Sequence, residues 1–180
     1  MAYMKKFAHI VLTGMKHTGK STLAAIIAEG LALPFFDTDT VIFELCGKTP
    51  RALFDEGGAP LMMEKELLAC EKLISGERSV IATGGGLADN EKAITILAPR
   101  SLMVYIDTPF DLLFNRIMES AKLEERLPRF LDGPDPEGLF KELFTRRSKT
   151  YATIADVRIE TGARMPTEIA QDIMDYIENE

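Results

Sequence analysis

A three-layer α/β fold, a parallel sheet with helices on both faces, is predicted by three observations. Short apolar runs alternate with helical patterns along the chain. The first run leads through a glycine-rich loop directly into a helix. That run is also mostly apolar and rich in strand formers, which belongs to a strand buried on both faces.

Taken in order, residues 7–13 (FAHIVLT) make the central first strand. GMKHTGKS follows, then TLAAIIAEGLAL, where Leu23, Ile26, Ile27 and Leu31 recur at helical spacing and Gly30 falls near the end. Phe35 and Phe36, before Asp37, give a brief second strand. Residues 40–73 are mostly helical but broken by Gly57, Gly58 and Pro60, an excursion that suits a small cap over the sheet's edge. SVIAT (79–83) and SLMVYI (101–106) are further strands, and residues 157–159 a weaker last one. Residues 121–138 are irregular, charged and punctuated by Pro128, Gly133, Pro134 and Pro136, which marks a mobile lid of about 119–138. Residues 166–180 close the chain as an amphipathic helix, and no internal repeat occurs.

Composition narrows the class. With 180 residues the chain is long enough for one domain and a full core. A net charge of -7 argues against a nucleic-acid binder, whose surface needs excess Lys and Arg. No apolar stretch is long enough to span a bilayer, and the N-terminus lacks the features of a signal peptide. Cys46 and Cys70 lack the paired spacing of a zinc site and read as buried thiols in a reducing, cytoplasmic setting.

Gly14, Gly19, Lys20 and Ser21 match G-x-x-x-x-G-K-[ST] between a predicted strand and a predicted helix, the context that makes this P-loop motif specific. Glycines let backbone N–H groups turn onto phosphate oxygens, and the helix N-terminus adds positive potential. Lys20 is expected to meet the β- and γ-phosphates of ATP and Ser21 to ligate Mg2+, with Lys16, His17, Thr18 and Thr22 completing the cradle.

Asp37 and Asp39 flank Thr38; at strand periodicity both carboxylates point to one side, where they can hold hydrated Mg2+ or accept a hydroxyl proton. An aspartate at a strand end also commonly caps the next helix. Gly84, Gly85 and Gly86 follow the SVIAT strand at the carboxyl edge, where open α/β sheets bind ligands, and are read as a substrate-contact loop rather than a plain turn. Arg126 and Arg129 lie in the lid, and Arg146 and Arg147 on a later helix before Tyr151. Each arginine is a candidate fork for carboxylate or phosphate, or else a solvated surface charge.

In this order GMKHTGKS, DTD, ATGGG, a lid with arginine beside proline, and RSKTY followed by AD resemble the shikimate kinases over nearly the whole chain. The resemblance implies a nucleoside-monophosphate-kinase-like fold with a five-stranded parallel sheet, acting as a monomer. It implies transfer of the ATP γ-phosphate to the 3-hydroxyl of shikimate, on the route to chorismate and the aromatic amino acids. Asp37 would then serve the metal, Asp39 the substrate hydroxyl as proton acceptor, Gly84 to Gly86 the substrate, Arg147 its carboxylate, and Arg116 the adenine. Catalytic lid charge would come from Arg126 or Arg129. The family's cap carries Phe-Arg with a Glu three residues after the Arg; here Met62 and Met63 stand there while Glu66 is retained as a substrate contact. His17 stands where the family usually has a third loop glycine. Two further readings are a paralogue acting on another hydroxy acid or polyol, favoured by Met63, and a non-catalytic nucleotide-binding module.

Overall fold

The computed structural model describes residues 7–179. Five strands, β1 (His9–Thr13), β2 (Phe35–Asp37), β3 (Ser79–Ala82), β4 (Ser101–Asp107) and β5 (Val157–Glu160), form one sheet in the order β2-β3-β1-β4-β5. Every pairing is parallel. Along β1 successive side chains face opposite sides, so Val11 joins one apolar layer and Ile10 and Leu12 the other. The second layer packs under α1 (Lys20–Leu31) and α7 (Pro166–Asn179), which supply Leu23, Ile27, Ile169 and Ile173. On the opposite face lie α2 (Thr38–Cys46), α3 (Pro50–Ile74), α4 (Glu91–Leu97), α5 (Phe110–Leu123) and α6 (Pro136–Ile154).

Helix ends follow local chemistry. The Asp37 carboxylate caps α2 by accepting from Asp39 N at 2.9 Å, and Thr49 Oγ1 caps α3 by accepting from Ala52 N. Gly30 does not end α1, although its place in the sequence suggests a stop. It lies inside the helix, where a Cβ would come within 2.6 Å of Met174 Sδ, so it permits close approach of α7. The chain leaves α1 instead through Ala32 in the left-handed conformation.

Three expectations need correction. Asp37 and Asp39 do not share one strand face: Asp37 ends β2 and Asp39 sits in the first turn of α2, because the Asp37 cap starts the helix at Thr38. Cys46 is only half-buried, while Cys70 is fully buried; Cys46 lies at the C-terminal turn of α2 with Sγ donating to Ile42 O at 2.9 Å. The stretch 121–138 is less irregular than its prolines suggest. Helix α5 runs through Leu123, α6 begins at Pro136, and a 3-10 turn at Arg129–Leu131 inserts fully buried Leu131 into the core. Helix α3 is continuous apart from a kink at Gly58, which has φ 65° and ψ −161°.

Candidate active site

At the carboxyl end of β1 the strand order reverses between β3 and β4, the crevice in which open α/β sheets bind ligands. The loop from Gly14 to Gly19 wraps this end. Gly14 adopts φ 143° with the place of a Cβ only 2.6 Å from Ile106 O, so no side chain fits. His17 takes a left-handed φ of 66°, a conformation that a glycine adopts without the Cβ penalty, and burial, then Lys16, hold its imidazole below the ordinary histidine pKa.

Lys20 is buried under the loop. Its Nζ donates to Met15 O at 2.6 Å and to Thr18 Oγ1 at 3.4 Å. Burial pushes its pKa down to about 8 against the opposing pull of Asp39 and Asp37, which leaves it mainly cationic at neutral pH. Ser21 Oγ donates to Asp37 Oδ2 at 2.6 Å, placing two hard oxygen donors side by side at an accessible edge. Mg2+ takes such oxygens and keeps several waters besides phosphate ligands, so this pair fits the ion without a larger carboxylate cage.

Across the crevice, Thr38 Oγ1 accepts from Gly84 N at 2.8 Å and ties α2 to the triple glycine. The glycines are there for closeness. A Cβ on Gly85 would lie 2.5 Å from Lys16 N, and one on Gly84 would lie 2.9 Å from Asp39 Oδ1 and 3.3 Å from Glu66 Oε1. Asp39 and Glu66 thus converge on one point beside the phosphate loop. Asp39 is open to solvent on one side but enclosed on the others, and this desolvation, with the like charge of Asp37, raises its pKa. Glu66 is 3% exposed; Asn90 Nδ2 donates to its Oε2 at 2.9 Å and to Met63 O at 2.9 Å. Burial, only partly offset by that hydrogen bond, pushes its pKa up to about 7.

Arg147 borders the same glycines, donating from Nη1 to Gly85 O at 2.9 Å and from Nε and Nη2 to Asp89 Oδ2 at 2.9 and 2.7 Å. Tyr151 Oη donates to Gly85 O at 3.1 Å and fixes the turn from behind. Arg116 lies on the far side of the loop with Nη1 donating to His17 O at 3.4 Å. It lines a groove of about 270 Å3 together with His17, Thr22, Thr161, Arg164 and Pro166.

Arg126 and Arg129, expected from the sequence to act in a lid, do not join this cluster. Arg129 Nε donates to Asp55 Oδ1 of α3 at 2.7 Å and its Nη1 to Asp132 Oδ2 at 3.5 Å. The Arg126 side chain is exposed and makes no hydrogen bond or ion pair among the described residues. Sequence reasoning missed Asp89, Asn90, Thr161, Arg164 and Pro166. Asp89, Asn90 and Thr161 carry no motif and pair with residues at least 24 positions away, whereas Arg164 pairs locally with Asp172 and Pro166 starts α7, neither of which marks a groove.

A phosphate-cradling loop over a buried lysine, a serine–aspartate pair and an enclosed carboxylate at one crevice define a P-loop small-molecule kinase. The shikimate kinase family model matches residues 16–178. The chain is 32% identical to shikimate kinase of Aquifex aeolicus over 165 residues, 92% of this chain and 93% of the relative. It is 30% identical to shikimate kinase of Persephonella marina over 169 residues, 94% of this chain and 98% of the relative. The solved shikimate kinase from Acinetobacter baumannii in complex with shikimate superposes with a TM-score of 0.87 at 27% identity, covering 99% of this chain and 97% of that one. The chain belongs to the shikimate kinase family.

Proposed function

We propose that the protein transfers the γ-phosphoryl group of ATP to the 3-hydroxyl of shikimate, giving shikimate 3-phosphate and ADP. The observation that carries this reading is the convergence of Asp39 and Glu66 on Gly84, with Arg147 on the neighbouring Gly85 and the phosphate loop alongside. Asp39 accepts the hydroxyl proton as the hydroxyl oxygen bonds to phosphorus and the β–γ bridging oxygen leaves with ADP; its raised pKa suits a general base. Lys20 and the loop N–H groups hold negative charge on the transferring group. Mg2+, held through Ser21 and Asp37 together with phosphate oxygens, would supply charge neutralisation at the phosphates.

Arg147 receives the acceptor's carboxylate and Arg116 packs on the adenine, with Arg164 and Pro166 lining the same groove. Since Arg129 is engaged with Asp55, Arg126 is the lid arginine available to the γ-phosphate. All these groups come from one chain, which suits a monomer, and ATP as donor with two free thiols suits the cytoplasm.

The test is ADP release at saturating Mg-ATP with and without millimolar shikimate, with Lys20→Ala as the control. Shikimate-dependent turnover absent from the variant is the expected result. If ATP binds but shikimate gives no stimulation, a related hydroxy acid or polyol is the acceptor, to be found with a substrate panel.

A further inference from the structure

The 3-10 turn Leu87–Asp89 directly after the triple glycine presents a carboxylate to two consecutive arginines of α6. Asp89 Oδ2 accepts from Nε and Nη2 of Arg147. Arg146 engages the same carboxylate, through Nη1 to Oδ1 and Nη2 to Oδ2 at 3.4 Å. Arg147 is the more enclosed of the two, its side chain 14% exposed against 59% for Arg146. Gly85 O takes one further donor, on Nη1 of Arg147.

A guanidinium carries five N–H donors in a rigid plane. Asp89 uses those on Nε and one on Nη2, and Gly85 one on Nη1, so a single N–H on each terminal nitrogen has no partner among the described residues. A planar anion binds two such donors at once. Two arginines and one aspartate leave the cluster with one net positive charge, so the carboxylate holds Arg147 without neutralising its surroundings.

We propose that Asp89 is a positioning residue for the acceptor: it clamps one edge of Arg147 so that the remaining donors face the acceptor's carboxylate, while Arg146 preserves the positive charge. The inference rests on the proposed function, in which Arg147 grips that carboxylate. Asp89 itself touches neither acceptor nor nucleotide, and its effect passes through Arg147 alone. An unclamped arginine samples many rotamers, and the order it must gain on binding weakens affinity for the acceptor in the ground state and transition state alike.

Steady-state kinetics of the full chain with shikimate and Mg-ATP tests this. Asp89→Ala is expected to raise KM for shikimate about tenfold while kcat and KM for Mg-ATP stay within about threefold, the signature of lost uniform binding. Asp89→Asn keeps an oxygen acceptor for Arg147 and is expected to recover most of the loss. An unchanged KM for shikimate in Asp89→Ala overturns the proposal, because Arg147 would then need no clamp, and a lowered KM overturns it because Asp89 would then be competing with the acceptor. Equal losses in kcat and both KM values, with a lowered Tm, overturn it in favour of a purely structural role. A wild-type enzyme silent with shikimate speaks against the acceptor reading, so a second readout uses no acceptor: the 15N-detected Nε–H signal of Arg147. Persistence of that signal at neutral pH in the wild type and its loss in Asp89→Ala support the clamp; equal exchange in both proteins overturns it.

Discussion

Glu66 concentrates the physical tension of the site. It is almost fully buried, its one hydrogen-bonded partner is the neutral Asn90, and the like charge of Asp39 lies close by. Its pKa rises from the ordinary glutamate value of 4.5 to about 7 in the folded chain. The sign follows from proton linkage: between these two values the folded protein holds a proton that the unfolded chain has released. Stability therefore falls as pH rises through this window and levels off above it. A shift of that size corresponds to about 3 kcal/mol. Glu66→Gln keeps an oxygen for Asn90 but cannot ionise, so urea midpoints of variant and wild type are expected to coincide near the ordinary glutamate pKa of 4.5, to diverge as pH rises to about 7 and to stay a constant distance apart above it, with the variant more stable. A difference independent of pH would show that Glu66 ionises freely.

Between elements, the contact to test joins the α5–α6 connection, the proposed lid, to α3, the proposed cap. Arg129 of that connection meets Asp55 in the N-terminal part of α3, and Arg51 Nη1 donates to Leu127 O at 3.5 Å. Both partners of the ion pair are substantially exposed, so water and salt screen it and it adds little to stability. Its proposed role is to hold the lid against the cap, and a contact of this size can still shift that local equilibrium several-fold. Asp55→Ala is expected to leave Tm within about 2 °C. It should also lower kcat/KM for shikimate about three- to fivefold, and Arg129→Ala should match it. The double variant should lose no more than either single one, since both remove the same pair; additive losses would show that Arg129 acts on the phosphates instead.

At the scale of the molecule, the parallel sheet brings groups from β1, α1, α2, α3, β3 and α6 to one edge, because parallel strands all end on the same side. Helices α1 and α7 cover the face opposite α2 and α3, yet Lys20 and Ser21 at the start of α1 and Pro166 at the start of α7 reach the same end of the sheet, so the site draws on both layers. Nucleotide binding is therefore expected to stabilise the whole domain. Mg-ADP at about 100 times its Kd adds about 2.7 kcal/mol, which for a chain of this size raises Tm by about 5–10 °C. Lys20→Ala should lose most of that shift in a thermal melt; an undiminished shift would remove Lys20 from the phosphate site.

The sheet, the P-loop and the family are legible in the order of the amino acids. Continuous apolar runs, helical spacing and a motif written in consecutive residues are local signals, as in residues 14–21 and 84–86. Glu66 and Arg147 are candidates there too, through resemblance, but what holds them in place is not legible. Three-dimensional packing was needed to show that Gly30 and Gly85 answer to distant neighbours, and that Asp89 and Asn90 support Arg147 and Glu66. Those facts are contacts between residues 24 to 144 positions apart, as with Asn90 and Glu66 or Gly30 and Met174. Such contacts come into being when the helices pack on the sheet, and no local periodicity or motif encodes them.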